Sequence, residues 1–366
     1  MTQSSPPVRV AIVGAGGIAS GAHLPALESL GGRTTVVAIA DLDQDRARTV
    51  AANWGIPAVY GDIDEMLEGV HPELVLVCTP PVAHRDAVVK ALDAGAWVLC
   101  EKPPTLSLAE YDDIAAHEGD AGPYASYVFQ HRFGSAAQRL RRQIGTGELG
   151  SPLVAVCHTL WYRAPSYFEV PWRGKWATEG GGPTMGHGIH QMDLLLSLLG
   201  DWTSVIAQTA TLERDVETED VSFAIVTFES GAVASVVNSL LSPRETSYLR
   251  FDFTDATVEV EHLYGYDNSD WTWTPAPSID RAVSDAWPPT DDIRSSHAAQ
   301  LTALLDAMAE GRRPPSSGAD GRRVLELIAG IYRSAATAAP VARTDLDASD
   351  PFYSTMSGAR EERAHV

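Results

Sequence analysis

Hydrophobic residues in the first third of the chain occur in short runs that alternate with helical patterns. Runs that are apolar almost throughout predict strands buried on both faces of a sheet: Val8–Val13, Thr35–Ala40, Glu73–Cys78 and Ala96–Cys100. Helix boundaries lie between them, because Asp43, Asp62 and Ser107 can cap helix starts and Gly55 and Gly95 can end helices. This alternation over residues 1–125 predicts a doubly wound parallel sheet.

The pattern changes after residue 125. Residues 229–231 form a short connection typical of a hairpin, so we expect the second sheet to be mainly antiparallel. The predicted strands are Tyr124–Gln130, one that starts at Leu153, Val205–Leu212, Val221–Phe228, Ala232–Ser239, Tyr248–Phe253 and Thr257–Glu261. The predicted helices are Ser135–Ile144, Pro183–Leu199, Ser296–Glu310 and Gly321–Thr337. We therefore expect an α/β chain with one domain over residues 1–125, a second over 126–345, and a polar tail over 346–366 that wraps the surface or frays.

Composition narrows the class of protein. The 366 residues are 45% hydrophobic and 20% charged, which is typical of a globular protein large enough for two domains. The net charge of −21 opposes binding to nucleic acid and to anionic membrane surfaces. No apolar run is long enough to span a bilayer, and residues 1–8 lack the pattern of a signal peptide, so we expect a cytoplasmic protein. Cys78, Cys100 and Cys157 have no metal-type spacing, and we expect reduced, buried thiols.

A glycine-rich turn follows the first predicted strand. Gly14 permits a tight turn, Gly16 allows close approach of the backbone to a pyrophosphate, and Ala19 lets the next helix pack against the strand. The helix start favours phosphate, so Gly17 and Ile18 are also candidate cofactor-binding residues. The alternative is a structural glycine turn in an unrelated α/β sheet.

Asp41 ends the second predicted strand. A carboxylate there accepts hydrogen bonds from ribose hydroxyls and repels a 2′-phosphate, so we expect NAD as the cofactor. Arg46 lies one turn into the following helix and can attract a phosphate, which leaves NADP as an alternative.

Two further strand ends point to the same cofactor. Thr79 and Pro80 interrupt the chain where a nicotinamide or ribose is expected, and His84 follows either as a cofactor contact or as an ordinary capping or surface residue. Lys102 follows another strand, and burial beside an oxidised nicotinamide would lower its pKa into the range of a general base. Glu101 can hold the ammonium or the backbone in place. The alternative is an ordinary surface Glu–Lys pair.

The second half contains three consecutive glycines at 180–182, which allow close approach of the backbone to a ligand. In a continuous helix over Pro183–Leu199, positions 186, 190 and 193 share one face and 187 lies close to it. His190 and Asp193 would then face a cleft together, with His187 beside them. A zinc site would need a third ligand that this spacing does not provide, so we expect no metal.

Aromatic residues and arginines precede these glycines. Trp161, Tyr162, Trp172 and Arg173 suit a polyhydroxylated ring, since aromatic rings cover its C–H face and guanidinium groups donate to its hydroxyls. Any one of them can instead pack a loop. We treat these four residues and Arg132 as candidate substrate contacts.

Several motifs together resemble the Gfo/Idh/MocA family of NAD(P)-dependent oxidoreductases: the glycine turn, Thr79-Pro80 with His84, Glu101-Lys102-Pro103, and the glycines followed by Gly188-x-His190-x-x-Asp193. The resemblance implies an N-terminal Rossmann domain and a C-terminal α/β domain with an open, largely antiparallel sheet that forms homodimers or homotetramers. It also implies that the substrates are sugars, cyclitols and related compounds. By this resemblance Lys102 is the catalytic lysine and His190 is the histidine that faces the substrate.

One position departs from the family pattern. Members similar to inositol dehydrogenase often carry an aspartate, and other members an asparagine, four residues before the histidine, whereas this chain has Gly186. The proton relay of those enzymes cannot be copied whole, which argues against inositol as the substrate more than against redox chemistry. His187 or a water molecule can take part of that role.

The function that we expect is hydride transfer between nicotinamide and a secondary alcohol or ketone of a sugar, cyclitol or related compound. Lys102 would take the hydroxyl proton, while His190 bonds the same oxygen or its neighbour. The alternatives are a keto-sugar reductase of a biosynthetic pathway, a glycosidase that oxidises a ring carbon transiently with NAD and then eliminates, and a non-catalytic NAD-binding regulator.

Overall fold

The computed structural model describes residues 6–358. Its first sheet has six parallel strands in the order β3-β2-β1-β4-β5-β6. The strands are Val8–Val13 (β1), Thr34–Ala40 (β2), Ala58–Tyr60 (β3), Leu74–Val77 (β4), Trp97–Cys100 (β5) and Ala125–Tyr127 (β6). The strand order reverses between β1 and β4, so the predicted doubly wound parallel sheet is confirmed.

The helix starts follow the capping residues in the sequence. The Asp43 carboxylate accepts a hydrogen bond from the N–H of Arg46, and the Asp62 carboxylate accepts from the N–H groups of Asp64 and Glu65. A short π-helix over Ala19–His23 precedes α1. The α-helices are Leu24–Ser29 (α1), Gln44–Trp54 (α2), Ile63–Val70 (α3), His84–Asp93 (α4), Leu108–Ala115 (α5), Ser135–Thr146 (α6), Trp176–Glu179 (α7), Pro183–Gly186 (α8), Ile189–Leu199 (α9), Arg281–Ser284 (α10), His297–Glu310 (α11), Gly318–Thr337 (α12) and Pro351–Ser354 (α13). In the part of the chain that the structure describes, no helix is long and apolar enough to cross a bilayer.

The second sheet has eight strands in the order β13-β12-β11-β7-β10-β9-β8-β14. They are Pro152–Tyr162 (β7), Trp202–Ala210 (β8), Val221–Phe228 (β9), Val233–Ser239 (β10), Leu241–Phe253 (β11), Ala256–Glu261 (β12), Trp271–Pro275 (β13) and Val341–Ala342 (β14). Neighbouring strands pair antiparallel except β7 and β10, which run parallel with Val154 opposite Val233. The prediction of a mainly antiparallel sheet is confirmed.

One face of this second sheet leaves apolar side chains exposed. On β9, Ala224 and Val226 are buried, whereas Phe223 and Ile225 on the opposite face are 52% and 54% exposed. Ile206 on β8 lies opposite Ile225 and is exposed as well. Exposed apolar side chains that adjoin one another on a sheet are typical of a surface that another protein covers.

The chain forms two compact units. Among the described residues, the first unit comprises 6–105, 110–128 and 297–321, and the second comprises 106–109, 129–296 and 322–358. This corrects the predicted second domain over 126–345, because α11 belongs to the first unit. The reason is hydrophobic: Leu301, Leu304 and Leu305 are buried in the same core cluster as Leu24 and Leu27.

Two smaller boundaries also differ from the predictions. The strand expected over Tyr124–Gln130 is only β6, and a 3₁₀ helix over Gln130–Phe133 follows it. The segment from residue 346 does not fray as far as residue 358, because Leu346, Phe352 and Met356 are buried. Residues 1–5 and 359–366, where the leader and the end of the tail were considered, lie outside the described residues.

Candidate active site

The glycine turn lies between β1 and the first helical residues. The Gly14 N–H donates to the Ala40 carbonyl oxygen at 2.8 Å, and Gly14 has φ +97°, a conformation that favours glycine. A Cβ on Gly14 would lie 2.7 Å from the Cys78 carbonyl oxygen, so the turn is packed against the end of β4. A Cβ on Gly16 or Gly17 would have no atom within 4 Å, which leaves space over the turn. This turn fits the pyrophosphate of a dinucleotide.

Asp41 is held as an anion beside the glycine turn. Its carboxylate accepts hydrogen bonds from the N–H groups of Ala15 (2.7 Å) and Asp43 (2.8 Å). Arg46 donates to both carboxylate oxygens, at 2.7 and 3.3 Å. Burial alone would raise the pKa of Asp41, but the hydrogen bonds from Arg46 and from the two N–H groups outweigh burial and lower it. The carboxylate expected to bind ribose is therefore ionised and shared with Arg46.

His84 connects two loops at the strand ends. Its Nδ1 lies 2.8 Å from the Pro103 carbonyl oxygen, and its Nε2 lies 2.9 Å from the Thr79 carbonyl oxygen. Burial lowers the pKa of His84 more than the two carbonyls and Glu101 raise it, so the ring is neutral and donates to one carbonyl at a time. The alternative of a surface residue is wrong, because His84 is fully buried. Both ring nitrogens face the protein, so its influence on a cofactor acts through the loops that follow β4 and β5.

Glu101 and Lys102 follow β5 directly. Lys102 is partly buried, and its backbone N–H lies 3.3 Å from Oε2 of Glu101. Oε1 of Glu101 lies 2.8 Å from Nε2 of His23 and 3.6 Å from Nε2 of His297. Sequence reasoning missed both histidines. His23 could have been noticed at the end of the helical turn that starts at the glycines, but nothing in the spacing points to His297.

The predicted helix over Pro183–Leu199 is broken into α8 and α9. His187 has φ −123° and ψ −55°, outside the helical range, and Gly188 starts α9. A Cβ on Gly188 would lie 1.9 Å from Oδ1 of Asn238, so the glycine lets the start of α9 lie close to β10. Residues 186 and 187 therefore do not continue the helical face of α9, and the expectation of one shared face was wrong.

His190 on α9 lies beside a second histidine that the sequence analysis did not identify. The ring centroids of His190 and His131 are 5.2 Å apart, and the Tyr264 ring lies 5.6 Å from that of His190. Both histidines are buried. The only sequence signal for His131 was its position next to the candidate Arg132. Two imidazoles rather than one are thus available on this side of the second unit.

Arg132 and Asp193 form an internal ion pair. The Arg132 Nε donates to Oδ2 of Asp193 at 2.5 Å, and its Nη2 donates to Oδ1. The two side chains are 4% and 0% exposed. The guanidinium donates to both carboxylate oxygens, and the predicted contacts of the two residues with the substrate stay predictions. The pair joins the 3₁₀ helix that carries His131 to the helix that carries His190.

Two side chains contact His187, and two others adjoin these. The His187 ring lies 5.3 Å from that of Trp161, and its Nε2 is 3.2 Å from the Tyr167 hydroxyl. The Arg173 guanidinium stacks 3.5 Å from the centroid of the Tyr167 ring. Tyr264 lies 6.2 Å from Trp161 and so connects this group to the other two histidines. We call the set Trp161, Tyr167, His187, His190, His131 and Tyr264 the aromatic wall.

Three predicted substrate contacts differ in their relation to this wall. Arg173 belongs beside it, and burial lowers the pKa of its guanidinium. Trp172 stacks on Arg173, with 5.0 Å between the ring and the guanidinium carbon. Tyr162 is exposed and lies under Arg214 at 5.3 Å, because neighbouring residues on β7 point to opposite faces. Tyr162 therefore points away from Trp161, and its contact with the substrate stays a prediction.

A buried carboxylate lies over Gly186. A Cβ built on Gly186 would lie 3.4 Å from Oε1 of Glu179, and the other oxygen of Glu179 accepts a hydrogen bond from the Gly174 N–H at 2.6 Å. Glu179 is 5% exposed. An acid from α7 thus adjoins position 186, which sequence spacing could not reveal.

Comparison with known proteins covers both units of the chain. The profile of the oxidoreductase family with an NAD-binding Rossmann fold, Gfo/Idh/MocA, matches residues 8–127, and that of the Gfo/Idh/MocA C-terminal domain matches 137–277. The chain is 30% identical to D-xylose 1-dehydrogenase (NADP(+)) 2 of Haloferax volcanii, over 90% of this chain and 98% of that protein. It is 28% identical to D-glucoside 3-dehydrogenase of Escherichia coli, over 91% and 97% of the two chains.

A solved structure shares the fold. The WlbA dehydrogenase from Bordetella pertussis, in complex with NADH and UDP-GlcNAcA, matches with a TM-score of 0.82 at 24% identity. The match covers 92% of this chain and 98% of that chain. The family profile and the glycine turn with Asp41 both indicate that the first unit is an NAD-binding Rossmann domain. The chain belongs to the Gfo/Idh/MocA family of NAD-binding oxidoreductases.

Proposed function

We propose that the protein is a dehydrogenase that transfers a hydride between NAD and a secondary alcohol or ketone of a sugar, cyclitol or sugar derivative. The observation that carries the proposal is the position of Lys102, directly after β5 in an NAD-binding parallel sheet. Ligands of such sheets bind beyond the carboxyl ends of the strands. The relatives named as D-xylose 1-dehydrogenase and D-glucoside 3-dehydrogenase support a sugar as the substrate.

The first unit supplies the residues that would hold the cofactor. Gly14, Gly16, Gly17 and Ile18 would bind the pyrophosphate through backbone N–H groups, and Asp41 would bind the ribose of the adenosine half. Bound NAD supplies the hydride acceptor for oxidation. We propose NAD rather than NADP because the Asp41 anion repels a 2′-phosphate, although Arg46 reduces that repulsion.

The nicotinamide half would lie toward β4 and β5, on the other side of the reversal in strand order from Asp41. Thr79 and Pro80 end β4 there, and the buried His84 fixes their loop to the one after Lys102. His84 thus serves the cofactor through the backbone that it holds.

The chemical step needs a group that accepts the hydroxyl proton as the hydride leaves the same carbon. We assign that proton to the Lys102 amine, which returns it to a ketone in the reverse direction. His190 would bond the reacting oxygen or its neighbour, with His131 beside it. His187, Trp161 and the neighbouring Arg173 and Trp172 would then meet the rest of a polyhydroxylated substrate.

Two other reactions use the same groups. A keto-sugar reductase would run the reaction in reverse, and a glycosidase would oxidise a ring carbon transiently and release a sugar without net NADH. The names of the relatives favour a dehydrogenase over the glycosidase.

The exposed sheet face supports a second proposal, about assembly. Ile206, Phe223, Ile225 and Val233 are 40% or more exposed on one face of the second sheet. We propose that a second copy of the chain covers them in a homodimer or homotetramer, and light scattering coupled to size exclusion tests this.

The three free, buried cysteines are in keeping with a cytoplasmic location, which we also propose.

The reaction is tested by following NADH absorbance with a panel of sugars, cyclitols and glycosides. We expect net NADH with a sugar or cyclitol, and Lys102→Met should lower kcat by about a hundredfold or more while NADH affinity stays within about threefold. Lys90→Met is the control, because Lys90 is an exposed lysine of the same unit that pairs with Asp64. Unchanged turnover in Lys102→Met would refute the assigned role, and sugar release without NADH would favour the glycosidase.

A further inference from the structure

A buried cluster of three ionisable side chains lies in the first unit, beside the end of β5. It consists of Glu101, His23 and His297, whose contacts were given above. The two imidazole rings meet edge to face, with centroids 4.9 Å apart. The His23 side chain is 0% exposed, and those of Glu101 and His297 are 7% and 11% exposed. Three groups of this kind rarely share a dry site without a functional reason.

The cluster keeps a negative charge inside the protein. Burial alone would raise the pKa of Glu101, but the hydrogen bond from His23 and the neighbouring His297 imidazole outweigh burial and hold it well below the ordinary value. Burial lowers the pKa of His23 more than Glu101 raises it, so His23 is neutral and donates its Nε2–H. Its Nδ1, which has no hydrogen-bond partner among the described residues, then carries the lone pair. Glu101 is thus a nearly inaccessible carboxylate that accepts a hydrogen bond from His23 and has the His297 imidazole beside it.

The sheet places this charge on the nicotinamide side. Asp41 follows β2, on one side of the reversal in strand order, and Glu101 follows β5, on the other. A dinucleotide that lies across the reversal with its adenosine ribose at Asp41 extends its nicotinamide toward β4 and β5. The nicotinamide ring is positively charged when oxidised and neutral when reduced. A fixed anion on this side therefore interacts differently with the two cofactor forms.

We propose that Glu101 makes the protein bind the oxidised cofactor in preference to the reduced one, and that His23 and His297 are positioning residues that keep its carboxylate in place. The inference rests on the proposed NAD-dependent function and adds a role that the hydride-transfer step does not itself require. Because His297 lies in α11, the proposal gives this helix, which is far from Glu101 in the sequence, a part in cofactor recognition.

The test measures binding of each cofactor form in the absence of substrate, by calorimetry for NAD⁺ and by nicotinamide fluorescence for NADH. In Glu101→Gln, which keeps the side-chain shape, we expect the Kd for NAD⁺ to rise by about tenfold or more and that for NADH to change less than about threefold. Asp113→Asn is the matched control, because Asp113 pairs with Arg85 on the surface of the same unit. That variant should leave both constants unchanged.

Two variants at His297 separate positioning from mere folding. His297→Leu removes the polar neighbour of Glu101 and should move the ratio of the two dissociation constants in the same direction as Glu101→Gln. His297→Gln keeps a side chain with N–H groups beside the carboxylate and should restore the ratio to within about twofold of the wild type. If circular dichroism shows that Glu101→Gln does not fold, the two His297 variants test the proposal on their own. An equal loss of NAD⁺ and NADH binding in all three variants, or no change, would overturn the proposal.

The rival occupant of the cluster is a metal ion, because the three donor atoms lie within 4.8 Å of one another. Stoichiometric zinc in the purified protein that resists dialysis against EDTA, with NAD⁺ affinity lost on its removal, would replace our assignment. Failure of the wild type to bind either cofactor form would instead refute the proposed NAD-dependent function, so the two failures are distinguishable.

Discussion

Removing the charge of Asp193 should destabilise the second unit strongly. Asp193 and Arg132 belong to this unit, and their side chains are 0% and 4% exposed. Asp193→Asn leaves the Arg132 guanidinium buried with an amide in place of a carboxylate. One amide oxygen can still accept a hydrogen bond, but the amide nitrogen faces a donor and the positive charge has lost its counterion.

The structure sets the size of the effect. Because neither side chain is exposed, no discount for solvent screening applies, and breaking such a buried pair costs about 3–5 kcal/mol. With a urea m-value of roughly 3 kcal/mol per molar, the unfolding midpoint should fall by about 1 M or more. The activity should fall too, since the pair joins the segments that carry His131 and His190.

Urea denaturation followed by circular dichroism measures the change. The control is Asp45→Asn, because Asp45 and Arg48 form an exposed pair whose loss should cost less than about 0.5 kcal/mol. In the double variant Arg132→Met/Asp193→Leu, apolar side chains replace both charges, and much of the lost stability should return. If Asp193→Asn lowers the free energy of unfolding by less than about 1 kcal/mol, the view that each of these two charges needs the other in a site without water is refuted.

Two other expectations follow from the site. Arg46→Ala should strengthen the preference for NAD over NADP, and Asp41→Ala should weaken it, each by about tenfold in the ratio of the two dissociation constants. The reason is that the Asp41 anion repels a 2′-phosphate and Arg46 offsets this repulsion. A wild type that prefers NADPH would contradict the assignment. Burial raises the pKa of Glu219 despite hydrogen bonds from Gly182 and Thr184, so the folded state loses stability as pH rises from the unfolded-state value of 4.5 through the raised pKa. Glu219→Gln should flatten that loss, as measured by thermal unfolding between about pH 4 and 8.

The parallel sheet was predictable because its signals are local. Strands such as Leu74–Val77, buried on both faces, are apolar without interruption, and helix starts such as Asp43 and Asp62 are fixed by side chains within three residues. The glycine turn and Asp41 were predictable for the same reason. Each depends on one residue type at one point of a strand–turn–helix unit.

Features that depend on tertiary contact were missed. The break between α8 and α9 lies where Gly188 approaches Asn238 on β10, and helix periodicity contains no trace of that contact. The helix α11, which carries His297, belongs to the first unit because its leucines are buried there. The spacing of these leucines would suit a core in either unit, so it did not predict this position. Distant partners, rather than weak local signals, set the limit of the sequence analysis.

Position 186 shows how a motif can mislead when it is compared residue by residue. Glycine at position 186 means the loss of an acid only if each function is tied to one position in the chain. In the folded unit, Oε1 of Glu179 lies 3.4 Å from where the Cβ of residue 186 would be, and the Gly174 N–H holds the other oxygen. A Cβ at 186 would thus lie in contact with that carboxylate. A buried carboxylate therefore lies beside position 186 although residue 186 itself has no side chain, and it belongs to the unit that also contains His187 and His190.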